Sequence, residues 1–417
     1  MYNFKHTQLD NGLDVITAQK DSSVVVSQLW LQCGSRYEKD EERGVSHMLE
    51  HLLLDGTKNR PGPVELQSEI EDLGGDLNAT TRKEETFFYT KVPKNKKEEG
   101  LEIIADIIQN PLFKQEHFRK EKEVVLKEKQ EELDNPEDKL SLKSLEKFFG
   151  SHPLAKNVLG SKDEIREIEL EDIKRFYEKF YRPSRAVLVI SGGVSHKESI
   201  ELTQNHLSSW QNRSNFKETD SQKELPNLNG ERLFLEEDSI ENTILHINYR
   251  GFSISERKKD AALDLVSIFL TGGMSSFLYD KLRNEKGLVY GVGSYNASYS
   301  DVGRFNINTS SSEPEKVLKI INECMDGLKD KLTSQKINKL KEKNENRLWV
   351  KMDNPYKIAH FLGFYFTFHE KPYYPQDYIE DIESVDEKLI GNLDNFLKPS
   401  KRLVSMIGPK DSKLTKS

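Results

Sequence analysis

Apolar and polar positions along this chain alternate in two periods, one of two residues and one of three to four, and the switches between them mark out the elements. Leu13-Asp14-Val15-Ile16-Thr17 follows the turn signal Asp10-Asn11-Gly12, so 9–20 reads as a hairpin. Residues 24–32, rich in valine and closed by Gly34, read as a further strand. A helix carrying Val45, Met48, Leu49, Leu52 and Leu53 follows. These side chains nearly surround its axis, which predicts a buried helix. Pro61-Gly62-Pro63 opens a helix over 64–73 that Gly74-Gly75 ends. Residues 76–81 lead into 86–92, a strand pair by composition. A helix over 101–108, a long charged helix over 118–133, and helices around 140–149 and 170–181 come next. Residues 186–190 form a buried strand closed by Gly192-Gly193. The polar stretch 212–230 has no clear period and reads as a linker.

The second part of the chain repeats the first. An ungapped shift of 217 brings Gly34 onto Gly251, Gly56 onto Gly273, and Leu101, Ile103 and Ile104 onto Leu318, Ile320 and Ile321. Two halves of similar organisation follow, with domains at 1–213 and 231–417 and a linker at 214–230. The plainer alternative, chance overlap of generic strand–helix patterns, is disfavoured by one offset holding over about 70 residues.

The length of 417 residues agrees with two or three domains. Charged residues make up 32%, yet 20 Phe and 15 Tyr are spread along the chain, which argues against disorder. The net charge of −8 argues against a nucleic-acid partner. The longest apolar runs, such as 186–190 and 265–270, are too short to span a bilayer, so no membrane association is expected. The two cysteines, Cys33 and Cys324, match no ligand spacing and no disulfide framework, and point to a reducing, cytoplasmic setting. Met1-Tyr2-Asn3-Phe4 does not begin a basic-then-apolar signal pattern.

The candidate chemistry lies in His47-Met48-Leu49-Glu50-His51. Histidines four apart on a helix stand one above the other on one face, a geometry that lets two imidazoles bind one metal ion. Glu50 points near the same spot, where a carboxylate can take a proton from a metal-bound water. The order His-x-x-Glu-His is the inverted form of the common zinc peptidase motif. Under the 217 shift, His47, Glu50 and His51 fall on Asp264, Ser267 and Ile268, so the second half cannot bind a metal in the same way.

A hydrolytic zinc site needs a third protein ligand. His117, His196 and His206 have polar neighbours and read as solvated, His152 precedes Pro153 in a loop, and His246 alternates in a strand-like run. A carboxylate is the better candidate. On the 118–133 helix, Glu121 and Glu128 are two turns apart and share a face with Phe118 and Val125, whereas the other acids read as a solvated face. Periodicity narrows the choice to these two and does not separate them.

The chain resembles the inverted-motif zinc peptidases that include pitrilysin, insulin-degrading enzyme and mitochondrial processing peptidase. The resemblance rests on Gly44-Val45-Ser46-His47-Met48-Leu49-Glu50-His51, Gly56-Thr57-Lys58-Asn59-Arg60-Pro61, Gly74-Gly75 with Asn78-Ala79, and Glu121 through Val124-Val125-Leu126-Lys127-Glu128. It continues through His152-Pro153-Leu154, Leu159-Gly160, Gly272-Gly273-Met274-Ser275-Ser276 and Arg283 to Gly287-Leu288-Val289-Tyr290. It implies an α+β fold of two homologous domains, each a mostly antiparallel sheet with helices packed on one side. It implies one zinc ion per chain, held by His47, His51 and Glu128, with Glu50 as general base and Glu121 holding a ligand histidine. Asn78 and Ala79 match the edge strand along which substrate is laid, as in β-strand addition.

Arg283 and Tyr290 match a pair that grips the substrate backbone and donates to the developing oxyanion. On the residues alone, the plainer reading is that Arg283 pairs with a nearby acid and Tyr290 packs in a sheet. Leu54-Asp55 and Thr80 depart from the family pattern, where aromatic or apolar residues are common. The resemblance implies a zinc-dependent endopeptidase acting on peptides or unfolded segments. It also implies a homodimer with a closed chamber, in which Arg283 and Tyr290 act in trans. The alternatives are a non-catalytic core or assembly subunit, and a processing subunit that needs a different partner chain.

Overall fold

The computed structural model describes residues 2–212 and 224–410. Positions 214–223 of the expected linker lie outside the described residues. The chain divides into two compact units, each built on one sheet.

The first unit contains β1 (Asn3–Gln8), β2 (Asp14–Gln19), β3 (Val24–Leu31), β4 (Asp76–Thr81), β5 (Thr86–Pro93) and β6 (Ala186–Gly192), in the order β1-β2-β6-β3-β5-β4. Every pairing is antiparallel except β2 with β6. The hairpin expected at 9–20 is present one strand earlier than its strongest apolar run, with His6 opposite Ile16. Leu29 and Leu31 of β3 point to the face where Val45, Met48, Leu49 and Leu52 of helix Val45–Leu54 join Ile103, Ile104 and Ile107 in one core. That helix is buried on its apolar sides, as its pattern predicts.

The opposite face of the same sheet is buried as well. Successive strand side chains alternate between faces, so Val26, Gln28 and Trp30 point away from Leu29 and Leu31. All three are shielded from solvent. Helix Pro355–His369 lies there: Gln28 Nε2 donates to the Tyr356 carbonyl at 3.2 Å, Ser191 Oγ donates to the Pro355 carbonyl at 2.6 Å, and the Trp30 and His360 rings are 4.9 Å apart. The expectation of helices on one side only is therefore corrected. The unbroken burial of β3 from Val25 to Leu31 is the mark of a strand covered on both faces.

The second unit contains β7 (Glu231–Glu236), β8 (Thr243–Gly251), β9 (Val292–Ser298), β10 (Gly303–Ser311) and β11 (Arg402–Gly408), in the order β7-β11-β8-β10-β9. Only β7 with β11 is parallel. Its core joins Leu245, Ile247, Val404 and Met406 to Leu265, Val266 and Phe269 of helix Arg257–Thr271. On the sheet's other face lies helix Pro136–Phe149, whose Ser144 Oγ is hydrogen-bonded to Asn248 Nδ2 at 2.9 Å and Ser405 Oγ at 2.8 Å.

The 217 shift holds far beyond the glycines that revealed it. It carries β2 onto β7, β4 onto β9, β5 onto β10 and helix Lys97–Gln109 onto Pro314–Met325, with ends agreeing to within one residue. It also carries Pro136–Phe149 close to Pro355–His369. These two helices are exchanged: Glu132–Ala155 belongs to the second unit and Val350–Tyr374 to the first. Both segments cross the boundary expected at 213–231. Each exchanged helix opens on Asn-Pro, with the side chain of Asn135 or Asn354 capping its first turn.

Candidate metal centre

Helix Val45–Leu54 starts abruptly because Gly44 adopts φ +88, and a Cβ there would lie 2.5 Å from the Leu159 carbonyl oxygen. The buried Glu38 caps this start. Its Oε1 accepts from Ser46 N at 2.8 Å and Ser46 Oγ at 2.5 Å, and its Oε2 accepts from Gly44 N at 3.0 Å. A carboxylate at this end of the helix also opposes the positive pole of the helix dipole. Burial pushes the Glu38 carboxyl up to about 7, against those hydrogen bonds. Sequence reasoning missed Glu38, because it caps from six residues before the N-cap position.

Helix Gln115–Asp134 crosses the motif helix with Phe118 and Val125 buried, so Glu121 and Glu128 face it, as their spacing predicts. The structure gives the two acids different contacts. Glu128 Oε2 lies 3.4 Å from His51 Nε2 and 4.0 Å from His47 Nε2. Glu121 Oε2 is hydrogen-bonded to His51 Nδ1 at 3.0 Å. Among the described residues, His47, His51 and Glu128 form the one group able to hold a metal ion, with ligand atoms all within 4.8 Å of one another. Ligands about 2.1 Å from a tetrahedral zinc ion stand roughly 3.4 Å apart, so the trio is close to that spacing with a position left open.

The electrostatics of His47 agree with that use. Burial, with the charge of His51 adding to it, lowers His47 to about 3, so it is neutral and ready to act as a ligand. Burial also works to lower His51, but the Glu121 hydrogen bond and the charges of Glu128 and Glu121 outweigh it and leave the imidazole raised. With Nδ1 committed to Glu121, Nε2 is the nitrogen turned toward Glu128, and a metal there would take the place of its proton. Burial raises the Glu50 carboxyl, opposed by a hydrogen bond from Thr81. Glu50 Oε2 is buried without a hydrogen-bond partner, and so is His47 Nδ1. A buried oxygen left unpaired beside three converging ligand atoms fits a site completed by zinc and its water.

Asn78 and Ala79 lie on β4, the outer strand of the first sheet, opposite Tyr89 and Phe88. Asn78 Oδ1 accepts from the Ala79 backbone at 2.8 Å. Thr81, which touches Glu50, ends the same strand and was not singled out from the sequence.

In the second unit, Arg283 lies on a π-helical turn, Asp280–Asn284. Neither part of the plainer reading holds. Among the described residues Arg283 has no carboxylate partner; it donates to the Tyr279 hydroxyl and lies 5.2 Å and 4.8 Å from the ring centroids of Tyr279 and Tyr290. Tyr290 is 85% exposed.

Three other expectations about histidines change. His117 Nδ1 lies 2.7 Å from Asp55 Oδ2, His196 is held by Thr7 and Thr17, and His206 lies 3.5 Å from Glu98. His246 is buried on β8, as its alternation predicts.

At the repeat-related place in the second unit, Asp264 stands where His47 does. Its Oδ2 accepts from the Tyr378 hydroxyl at 2.9 Å. One turn earlier, Asp260 accepts from Asn296 Nδ2 at 2.6 Å and from Ser298 Oγ. Burial and then the charge of Asp264 push Asp260 from 3.8 up to about 7. The folded chain therefore keeps a proton that the unfolded chain releases, and stability falls as pH rises between about 4 and 7. Asp260→Asn removes that penalty. Discounted for partial exposure, it should stabilise the protein by about 1–2 kcal/mol at pH 8. Thermal melts from pH 4 to 8 would show a higher Tm at pH 8 and a flatter slope; an unchanged slope would count against the half-buried acid pair.

Comparison with known proteins agrees with the site. Residues 14–162 match the family model described as insulinase (peptidase family M16), and residues 167–344 match the peptidase M16 inactive domain. A Rickettsia felis protein named "Uncharacterized zinc protease" is 30% identical over 416 residues, 98% of each chain. The chain belongs to peptidase family M16. Cytochrome b-c1 complex subunit 1 of Bos taurus is 34% identical to this M16 chain over 202 residues, 48% of it and 42% of the bovine protein. A protease from Helicobacter pylori of known crystal structure is similar in fold, with a TM-score of 0.90 at 23% identity, covering 98% of this chain and all of that one. No helix among the described residues is long and apolar enough to cross a membrane.

Proposed function

We propose that this M16 chain is a zinc-dependent endopeptidase that cleaves peptides or unfolded polypeptide segments. The observation that carries the reading is the convergence of His47, His51 and Glu128 beside an unpaired Glu50 oxygen, with Glu121 fixing one imidazole. When bound, zinc polarises a water molecule and lowers its pKa. Glu50 would take a proton from that water as the water oxygen adds to the scissile carbonyl carbon, and give it to the amide nitrogen as the C–N bond breaks; its raised carboxyl makes it a better base than an exposed glutamate. β4, as an outer strand, offers backbone groups to an extended peptide, with Asn78 and Ala79 at its centre. Arg283 and Tyr290 grip the substrate backbone and stabilise the oxyanion. The unneutralised guanidinium and the exposed phenol support that role. The two buried, unpaired thiols of Cys33 and Cys324 support a reducing, cytoplasmic setting.

The similarity to a cytochrome b-c1 subunit favours a second reading, a non-catalytic assembly subunit. The complete ligand trio and base weigh against it. Elemental analysis should find one zinc per chain, and a mixed peptide library read by mass spectrometry should show cleavage that a chelator stops and zinc restores. A metal-free protein, inert after zinc addition, would favour the assembly role.

The active form in this reading is a homodimer in which Arg283 and Tyr290 serve the partner's zinc site. An Arg283→Ala chain and a Glu50→Gln chain should each be inactive alone and regain part of the activity when mixed. Mixed dimers without recovery would exclude action in trans.

A further inference from the structure

Asp55 ends the motif helix four residues beyond His51, and His117 lies four residues before Glu121. Residues four apart on a helix share a face, so the two helices meet in two successive rungs. In one rung, His51 of the motif helix meets Glu121 at 3.0 Å. In the next the chemistry is reversed, and Asp55 of the motif helix meets His117 at 2.7 Å. Asp55 is 6% exposed. Its position is a poor one for stability alone. A carboxylate at the C-terminal end of a helix faces the negative pole of the dipole. Burial raises its carboxyl, His117 opposes that rise, and the charge of Glu121 adds to it. Left unpaired, Asp55 would repel Glu121, the carboxylate that orients the imidazole of His51.

We propose that Asp55 and His117 form a clamp that positions Glu121, and through it the metal-binding nitrogen of His51. The inference rests on the zinc reading above. Neither residue touches the ligand trio, so both are positioning residues. The chain beyond Asp55 is itself anchored, with Thr57 Oγ1 donating to the buried Asp106 at 2.5 Å and Arg60 Nη1 donating to the same carboxylate at 2.7 Å. The motif helix is thus fixed at its far end, and the clamp sets its distance from the glutamate helix.

The test measures zinc affinity by competition with a chromophoric chelator, alongside thermal melts of the zinc-free protein. Asp55→Asn and His117→Gln should each weaken zinc binding about tenfold, as loss of an orienting partner does. The double variant should be no weaker than either single, because the two side chains act as one pair. Exchanging the partners, Asp55→His with His117→Asp, should restore much of the affinity. Lower melting temperatures with unchanged zinc affinity would make the pair structural and overturn the proposal, and additive losses would overturn the pairing. If the single variants do not fold, the exchanged pair decides; failure of all three to fold would likewise assign the pair to structure alone. Absence of zinc binding in the unaltered protein would instead defeat the peptidase reading, an outcome distinct from loss confined to the variants.

Discussion

Replacing Glu50 with Gln is expected to lower kcat by about 10²–10⁴-fold, the usual contribution of a positioned general base, while zinc content stays near one per chain. The two parts separate the roles on the motif helix. Glu50 is not among the ligand atoms that converge within 4.8 Å; its free oxygen is buried beside them without a partner. An amide fills the same volume and can keep the contact with Thr81, so fold and metal should survive. Its inability to take a proton removes the chemical step. KM should change little, because the edge strand and the Arg283–Tyr290 pair are untouched. Steady-state kinetics on one cleaved peptide, with elemental analysis of the same preparation, checks both parts. Residual activity above a tenth of the parent's would assign the base elsewhere. Loss of zinc together with activity would make Glu50 part of the metal site.

Much of this site is legible in the sequence, for specific physical reasons. The helical period places His47 and His51 on one face whatever the tertiary structure. The same period narrowed the acids of the glutamate helix to Glu121 and Glu128. Periodicity could not divide their roles, because the division depends on where along the glutamate helix the motif helix crosses. It crosses so that Glu128 meets the Nε2 atoms and Glu121 meets Nδ1 of His51. Glu38, Thr81 and the Asp55–His117 contact were not legible. Each joins segments whose meeting is set by packing, and none has a local spacing that announces it.

The repeat behaved in the same way. A shift read from a few glycines and aliphatic residues held for strands and helices alike, since both halves need the same elements at the same spacing to close the same sheet. Where Pro136–Phe149 and Pro355–His369 would pack was a separate matter. Each helix covers a face of the sheet formed mainly by the other half of the repeat, and no period within a segment says which sheet it will cover. The burial of Gln28 and Trp30 shows the demand for a cover; the source of the cover is a question of topology.

The exchange gives the sharpest stability prediction. Gly363→Ala lies inside helix Pro355–His369, where alanine should favour the helix by about 1 kcal/mol over glycine. Packing reverses the sign. A Cβ at this position would stand 2.2 Å from Trp30 Nε1 and 2.3 Å from Trp30 Cδ1. The Trp30 ring cannot retreat: it is fully buried, its Nε1 donates to Gln28 at 3.0 Å, and it stacks on Phe87 with centroids 4.2 Å apart. The helix must lift from β3, at a net cost of about 1–3 kcal/mol for overpacking. Gly391 supplies the matched control. It too is a helical glycine, but a Cβ there would find its nearest neighbour, Lys329 Cβ, at an ordinary 4.0 Å. Gly391→Ala should therefore leave stability unchanged or raise it. Thermal or urea unfolding of the two variants reads the difference directly, and hydrogen exchange should show faster opening of β3 in Gly363→Ala alone. Equal stability of the two variants would mean that the exchanged helix does not bear on Trp30, and the close helix–strand contact described for the first unit would have to be abandoned.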